Sequence, residues 1–257
     1  MYKYSILMYN FNKYEILREP EEIDSECEYI YVTDDEKIKS NKFKVIVDKE
    51  LDGLSVFDKC YSVRFNLFKY VTTPVCIYLD GSIQIHKSLR KLYTAFIESN
   101  ADLGLCVHPV RSTLKDEYNV WLTARNYDYL QFRKAKAFAK AAGYDFDNYR
   151  GLYQGGCRIV KNTELNKEID DFVYNSFKKL GTKDKIERLD QTIYSLILNK
   201  FYENDVKVFP FSQQIFQSNY MHICPHGSRQ ITKFNESYAT PKYVFNKLRN
   251  DIYYLRD

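Results

Sequence analysis

Between Val75 and Ile85 the hydrophobic pattern changes character twice. Val75-Cys76-Ile77-Tyr78-Leu79 is continuously apolar, Asp80-Gly81-Ser82 breaks the run, and Ile83-Gln84-Ile85 resumes with strict alternation. An unbroken run of β-formers predicts a strand buried on both faces, at the centre of an α/β sheet. Pro74 suits the position that opens such a strand. Around it the pattern predicts strands over residues 2–9, Glu28–Thr33 and Phe43–Val47, then a helix over 58–71 with Cys60, Val63, Leu67 and Val71 at helical spacing. A helix over Lys87–Ser99 and a buried strand over Leu103–Val107 follow. The alanine-rich, basic stretch 121–142 reads as a long helix that Gly143 ends.

Leu152–Val160 reads as a strand whose paired glycines, Gly155 and Gly156, let another backbone or a ligand come close. Asn162 or Thr163 caps a helix running to Leu180, and Leu189–Phe201 forms the next. Val206–Pro210 is a late strand, residues 222–229 a histidine-bearing loop, and residues 239–257 a C-terminal helix. Strands alternate with helices through the first two thirds, which predicts an α/β sandwich around a mostly parallel, mixed sheet, in a single domain over 1–257. The terminal helix carries Lys242, Lys247, Arg249 and Arg256 outside an apolar stripe. That pattern suits packing on the domain or on a second subunit, and also peripheral contact with an anionic membrane.

With 257 residues and 45% hydrophobic content, the chain can bury a full core without metal or disulfide. Its formal charge is +4, and the basic residues are interspersed with acids. This argues against a nucleic-acid binder, whose basic residues cluster. Six scattered cysteines without a C-x-x-C pair suit a reduced, cytoplasmic protein. No stretch of about twenty apolar residues predicts a membrane span. Neither the dinucleotide fingerprint G-x-G-x-x-G nor the P-loop is present, so a nucleotide would be bound by other means.

In open α/β sheets ligands bind beyond the carboxyl ends of the strands, where Asp80 falls. Asp80-Gly81 is also a common turn dipeptide. The order of Tyr31-Val32-Thr33-Asp34-Asp35, Ile77 through Ile83, His108-Pro109-Val110-Arg111 with Glu117, Gly151-Leu152-Tyr153 and Leu189-Asp190-Gln191 resembles that of GT-A glycosyltransferases. More closely it resembles a bacterial and plant family that includes a mucilage-related hexosyltransferase. The resemblance covers roughly residues 1–210.

The resemblance implies a hexosyltransferase with a GT-A-like three-layer sandwich, using a nucleotide-sugar, above all a UDP-sugar, and a hydroxyl acceptor such as a growing surface polysaccharide. It places Asn10, Thr33 and Asp34 near the nucleobase, Arg64 near base and diphosphate, and Asp80, Gly81 and Ser82 at the donor. His108, Arg111 and Glu117 would grip sugar hydroxyls or pair with one another, and Gly155 and Gly156 would floor the acceptor side. Asp190, with Gln191, would face the substrates, as the general base of an inverting transfer or as an orienting group in a retaining one. GT-A enzymes usually hold Mn²⁺ or Mg²⁺ with an Asp-x-Asp, whereas here a serine hydroxyl stands in the second acid's place. By the same analogy His222 or His226 would complete a metal shell with Asp80, and Arg229 would contact the diphosphate. Asp80 could equally bind a ribose with no metal. Two other classes compete: a non-catalytic nucleotide-sugar or glycan-binding module, which the incomplete Asp-x-Asp allows, and a hydrolase. Against the hydrolase, the chain has neither G-x-S-x-G nor H-E-x-x-H.

Overall fold

The computed structural model describes residues 2–108, 151–180, 190–212 and 218–224, together with 137, 140, 141 and 215. The chain runs β1 (Tyr4–Asn10), β2 (Cys27–Thr33), β3 (Lys44–Val47), α1 (Val56–Arg64), β4 (Val75–Leu79), β5 (Ile83–Ile85), α2 (Arg90–Glu98) and β6 (Leu103–Val107). After the stretch that includes the expected basic helix 121–142, which lies largely outside the described residues, come β7 (Tyr153–Lys161), α3 (Glu164–Leu180), α4 (Asp190–Phe201), β8 (Val208–Ser212) and β9 (Met221–Ile223). The expected C-terminal helix, residues 239–257, also lies outside them. No helix among the described residues is long and apolar enough to cross a membrane.

Seven strands form one sheet in the order β3-β2-β1-β4-β7-β6-β8, and β5 and β9 pair separately. The β1–β2, β1–β4, β2–β3 and β6–β8 pairings are parallel, while β7 runs antiparallel to both β4 and β6. The expected mostly parallel, mixed α/β sandwich is borne out. Side chains alternate across it with the period of a strand. Leu7, Tyr9, Cys76, Tyr78 and Val160 pack with α1, α3 and α4 on one face. On the other face Tyr4, Ile6, Met8, Val75, Ile77, Leu79 and Ile159 pack with α2 and the small β5–β9 sheet. The result is three layers, with β4 buried on both faces as its unbroken apolar run requires.

Two expectations need correction. The helix expected over 58–71 begins at Val56, capped by the Ser55 side chain, and ends at Arg64; a 3-10 turn over Leu67–Lys69 follows. The start of the expected histidine loop is instead strand β9, which pairs Gln84 with His222. β5 is only three residues long and finds its ladder in a partner some 140 positions away, as Ile83 opposite Ile223 shows. The alternation of Ile83-Gln84-Ile85 marks β5 as a strand, whereas Met221-His222-Ile223 carries too little period to mark β9 by itself.

Candidate donor site at the carboxyl ends of β1 and β4

From β1 the chain winds outward through β2 and β3, then returns to place β4 on the other side of β1. The crevice beyond the carboxyl ends of β1 and β4 is therefore the topological switch point of the sheet, the usual ligand site in open α/β folds. Asp80 follows the last residue of β4 at this point. Its side chain is 35% exposed, the open end of an otherwise buried polar chain.

Asp80 Oδ1 accepts from Arg64 Nη2 at 2.8 Å and from the Tyr78 hydroxyl. Arg64 also donates from Nε to the Tyr78 hydroxyl at 3.1 Å and from Nη2 to the Tyr9 hydroxyl at 3.2 Å. The Arg64 side chain is 9% exposed, so its charge is committed inward, to the carboxylate and the two phenols. Burial pushes both phenols well above their ordinary pKa, which keeps them protonated as donors. Tyr78 lies two positions before Asp80 on the same face of the strand, and that spacing lets its hydroxyl meet the carboxylate. In sequence both tyrosines read simply as core; for Tyr78 the period-two relation to Asp80 was the available signal, and for Tyr9 there was none.

The other carboxylate oxygen faces Gly156. The Asp80 amide donates to the Gly156 carbonyl at 2.9 Å, and a Cβ on Gly156 would lie 3.2 Å from Oδ2. The glycines sit where β7 leaves its ladder with β6: Cys106 faces Gln154 while Leu105 faces Arg158. Residues 155–157 thus bulge out of the β6 pairing and bring backbone against Asp80. Gly81 is held more tightly still, since a Cβ there would lie 2.5 Å from the Tyr9 carbonyl oxygen.

The three residues expected near the base are engaged within the protein. Asn10 donates to the Glu15 carbonyl at 2.7 Å and accepts from the Glu15 amide at 2.8 Å, which clamps the loop after β1. Thr33 caps the Asp35 amide through its hydroxyl at 3.1 Å. Asp34 accepts from the Asn12 amide and from Lys59 at 2.7 Å, tying that loop to α1. All three line the carboxyl end of the sheet and shape its rim.

Ser82 is buried, and its carbonyl accepts from the Cys224 amide at 2.7 Å. His108 is buried at the end of β6, its amide donating to the Leu152 carbonyl at 3.0 Å. Asp190 opens α4 and Gln191 follows it. Along α4, Ser195 accepts from the Tyr153 amide at 2.9 Å and Asn199 reaches the Gly151 carbonyl at 3.5 Å. These two bonds lay α4 along β7, with the start of the helix toward the Gly155–Gly156 end of the strand. The Gln191 side-chain oxygen is buried and has no partner among the described residues. Arg111, Glu117, His226 and Arg229 lie outside the described residues.

The described side chains do not fit a protein-built Mn²⁺ or Mg²⁺ centre. Among the described residues no three His, Cys, Asp or Glu groups converge on a metal position. Asp80 supplies one carboxylate, and its Oδ1 already accepts two hydrogen bonds, whereas such ions take several oxygen ligands. His222 has one ring nitrogen against His86 and the other against Cys224. A broad open groove of about 760 Å³ lies elsewhere, lined by residues such as Asp24, Lys87 and Arg90 near the start of β2. It holds none of the candidate site residues, and the switch point remains the better candidate on chemistry.

No known family model matches the chain, and no curated protein matches it in sequence. Among solved structures it is similar to the apo crystal structure of a mouse xyloside xylosyltransferase, with 11% identity, 80% of this chain and 84% of that one covered, and a TM-score of 0.44. At that overlap no residue's role is carried from one to the other.

Proposed function

We propose that this chain is a glycosyltransferase that moves a hexose from a nucleotide-sugar, a UDP-sugar by preference, to a hydroxyl acceptor, within the hexosyltransferase-like family its motifs resemble. The observation that supports this reading most is the state of Asp80: an ionisable carboxylate at the switch point, one oxygen pinned by Arg64 and Tyr78, the other beside a glycine with no side chain to cover it. Oδ2 is then an oriented acceptor for a ribose or sugar hydroxyl. Arg64 beneath it offsets the carboxylate's charge, so an incoming diphosphate meets less repulsion.

In the transfer, the bond from the sugar's anomeric carbon to the diphosphate breaks as the acceptor oxygen bonds to that carbon. Asp190 is assigned the acceptor's proton, as general base of an inverting reaction. A growing surface polysaccharide at the cytoplasmic side of a membrane suits such an acceptor, and the basic C-terminal segment 239–257 suits that location. A non-catalytic sugar-nucleotide binder is the second reading, favoured by the missing second carboxylate.

The test is thermal unfolding with UDP, GDP, CMP and UDP-sugars, each with and without Mn²⁺. A ligand at one hundred times its Kd adds about 2.7 kcal/mol, which for a chain of this size raises Tm by roughly 5–10 °C. One nucleotide class shifting Tm, with the shift lost in Asp80→Ala, supports the site. Asp190→Ala is expected to keep the shift and lose turnover. No shift with any nucleotide refutes the reading, and binding without turnover across acceptors favours the second one.

A further inference from the structure

Across the small β5–β9 sheet four side chains form one hydrogen-bonded line. Glu21 Oε1 lies 2.7 Å from His86 Nδ1, His86 Nε2 meets His222 Nδ1, and His222 Nε2 lies 3.2 Å from Cys224 Sγ. The two imidazole planes are within 16° of each other. β-Pairing builds this line: Gln84 opposite His222 brings β9 alongside β5, and His86 follows directly after β5. The residues come from three distant parts of the chain and lie outside the Asp80–Arg64 network.

The direction of the line follows from its ends. An ionised carboxylate only accepts, so Nδ1 of His86 carries the proton and, in the neutral ring, Nε2 is bare. Nδ1 of His222 must then donate to it, which leaves His222 Nε2 bare and facing the thiol. The thiol it faces is half-buried, with Sγ within hydrogen-bond reach of that nitrogen. A nucleophile, a base within reach and a group orienting the base are the elements of an activated thiol.

We propose that Cys224 is a base-assisted reactive thiol, a modification site for small disulfides, held ready by His222, His86 and Glu21. Its sulfur attacks one sulfur of the disulfide. A mixed disulfide forms as the reagent's S–S bond breaks, the thiol proton passes to His222 Nε2, and the other half leaves as a thiolate. Of the remaining cysteines, Cys27, Cys76, Cys106 and Cys157 are buried, and half-buried Cys60 on α1 is the internal comparison. The proposal is independent of sugar transfer. Its location is nonetheless adjacent, because the Cys224 amide is bonded to Ser82 of the Asp80 turn.

The experiment reacts the native full-length chain with an aromatic disulfide reagent, and separately with oxidised glutathione, at neutral pH, locating each modified cysteine by mass spectrometry. One thiol, Cys224, is expected to react in a fast phase that Cys224→Ser removes. His222→Gln is expected to slow that phase about tenfold or more, against the 10²–10⁴ that general bases contribute in enzymes. Glu21→Gln, at an exposed side chain that leaves β9 intact, is expected to slow it about threefold by the same reasoning. The Cys60 rate should stay constant throughout and report any general loosening. A fast phase that survives Cys224→Ser, or an unchanged rate in either His222→Gln or Glu21→Gln, overturns the proposal.

Discussion

Replacing Asp170 with asparagine tests how the site is supported from beneath. Arg158 on β7 is among the largest fully buried side chains, with its side chain 2% exposed and that of Asp170 on α3 8%. Its Nη1 donates to Asp170 Oδ1 at 2.7 Å and its Nη2 to Oδ2 at 3.3 Å, while Nη2 also reaches the carbonyl of Arg64. The guanidinium lies near the rings of Phe65 and Tyr194, at 5.0 and 4.9 Å. Arg158 thus satisfies a carbonyl at the end of α1, where a cation suits the helix dipole, and steadies the residue whose own side chain holds Asp80.

The Asp170→Asn change would leave a buried guanidinium without its counter-charge, and a guanidinium cannot shed its proton. Breaking a buried pair in this way costs about 3–5 kcal/mol, a large share of the roughly 5–15 kcal/mol that holds a domain folded. The paired replacement Arg158→Met with Asp170→Leu removes both charges and fills similar volume. It forfeits mainly the Arg64 carbonyl's partner, about 1–3 kcal/mol. Urea unfolding of wild type, Arg158→Met, Asp170→Leu and the double variant gives the coupling directly, with Asp170→Asn measured beside them. The expected order has Asp170→Asn less stable than the double variant. A loss under about 1 kcal/mol for Asp170→Asn, the value of a surface pair, or strict additivity in the double variant, refutes the reasoning.

The two glycines at the site should behave differently. Gly81→Ala sets a Cβ 2.5 Å from the Tyr9 carbonyl oxygen, so β1 and the Asp80 turn must part by about 1 Å; chemical denaturation should show a loss of about 1–3 kcal/mol. Gly156→Ala meets only the Asp80 carboxylate, at 3.2 Å, and should keep its stability while weakening the nucleotide-dependent Tm shift. Equal loss of stability in both variants would contradict this account. Asp24 supplies the pH test. Arg90 holds its carboxyl well below the usual carboxylate range, against the opposing effect of burial, and the Tyr4 hydroxyl and Glu26 amide add to the depression. A depressed folded pKa contributes stability above the unfolded value of about 4, lost as pH falls below it. Asp24→Asn should therefore cost about 2 kcal/mol at pH 7 and progressively less below pH 4, followed by denaturant midpoints against pH.

Local pattern carried much of this protein. The run Val75–Leu79 ends where β4 ends, Leu103–Val107 coincides with β6, and α3 and α4 fall within a residue or so of their expected bounds. Those elements are long or strongly periodic, and their burial on one or both faces is written in the residues themselves. Asp80 stood out for the same reason, as a charge at the tip of an apolar strand. What the chain order could not show was partnership. That Arg64 and Tyr78 share one carboxylate oxygen, that Asn10 and Asp34 clamp loops, and that β9 brings His222 to His86 all depend on which strands are neighbours. Strand order and the bulge at Gly155 and Gly156 are products of non-local pairing, decided when distant segments bury their faces together. Residue type and period specify each element's faces, and only the packed sheet decides which side chains those faces bring into contact.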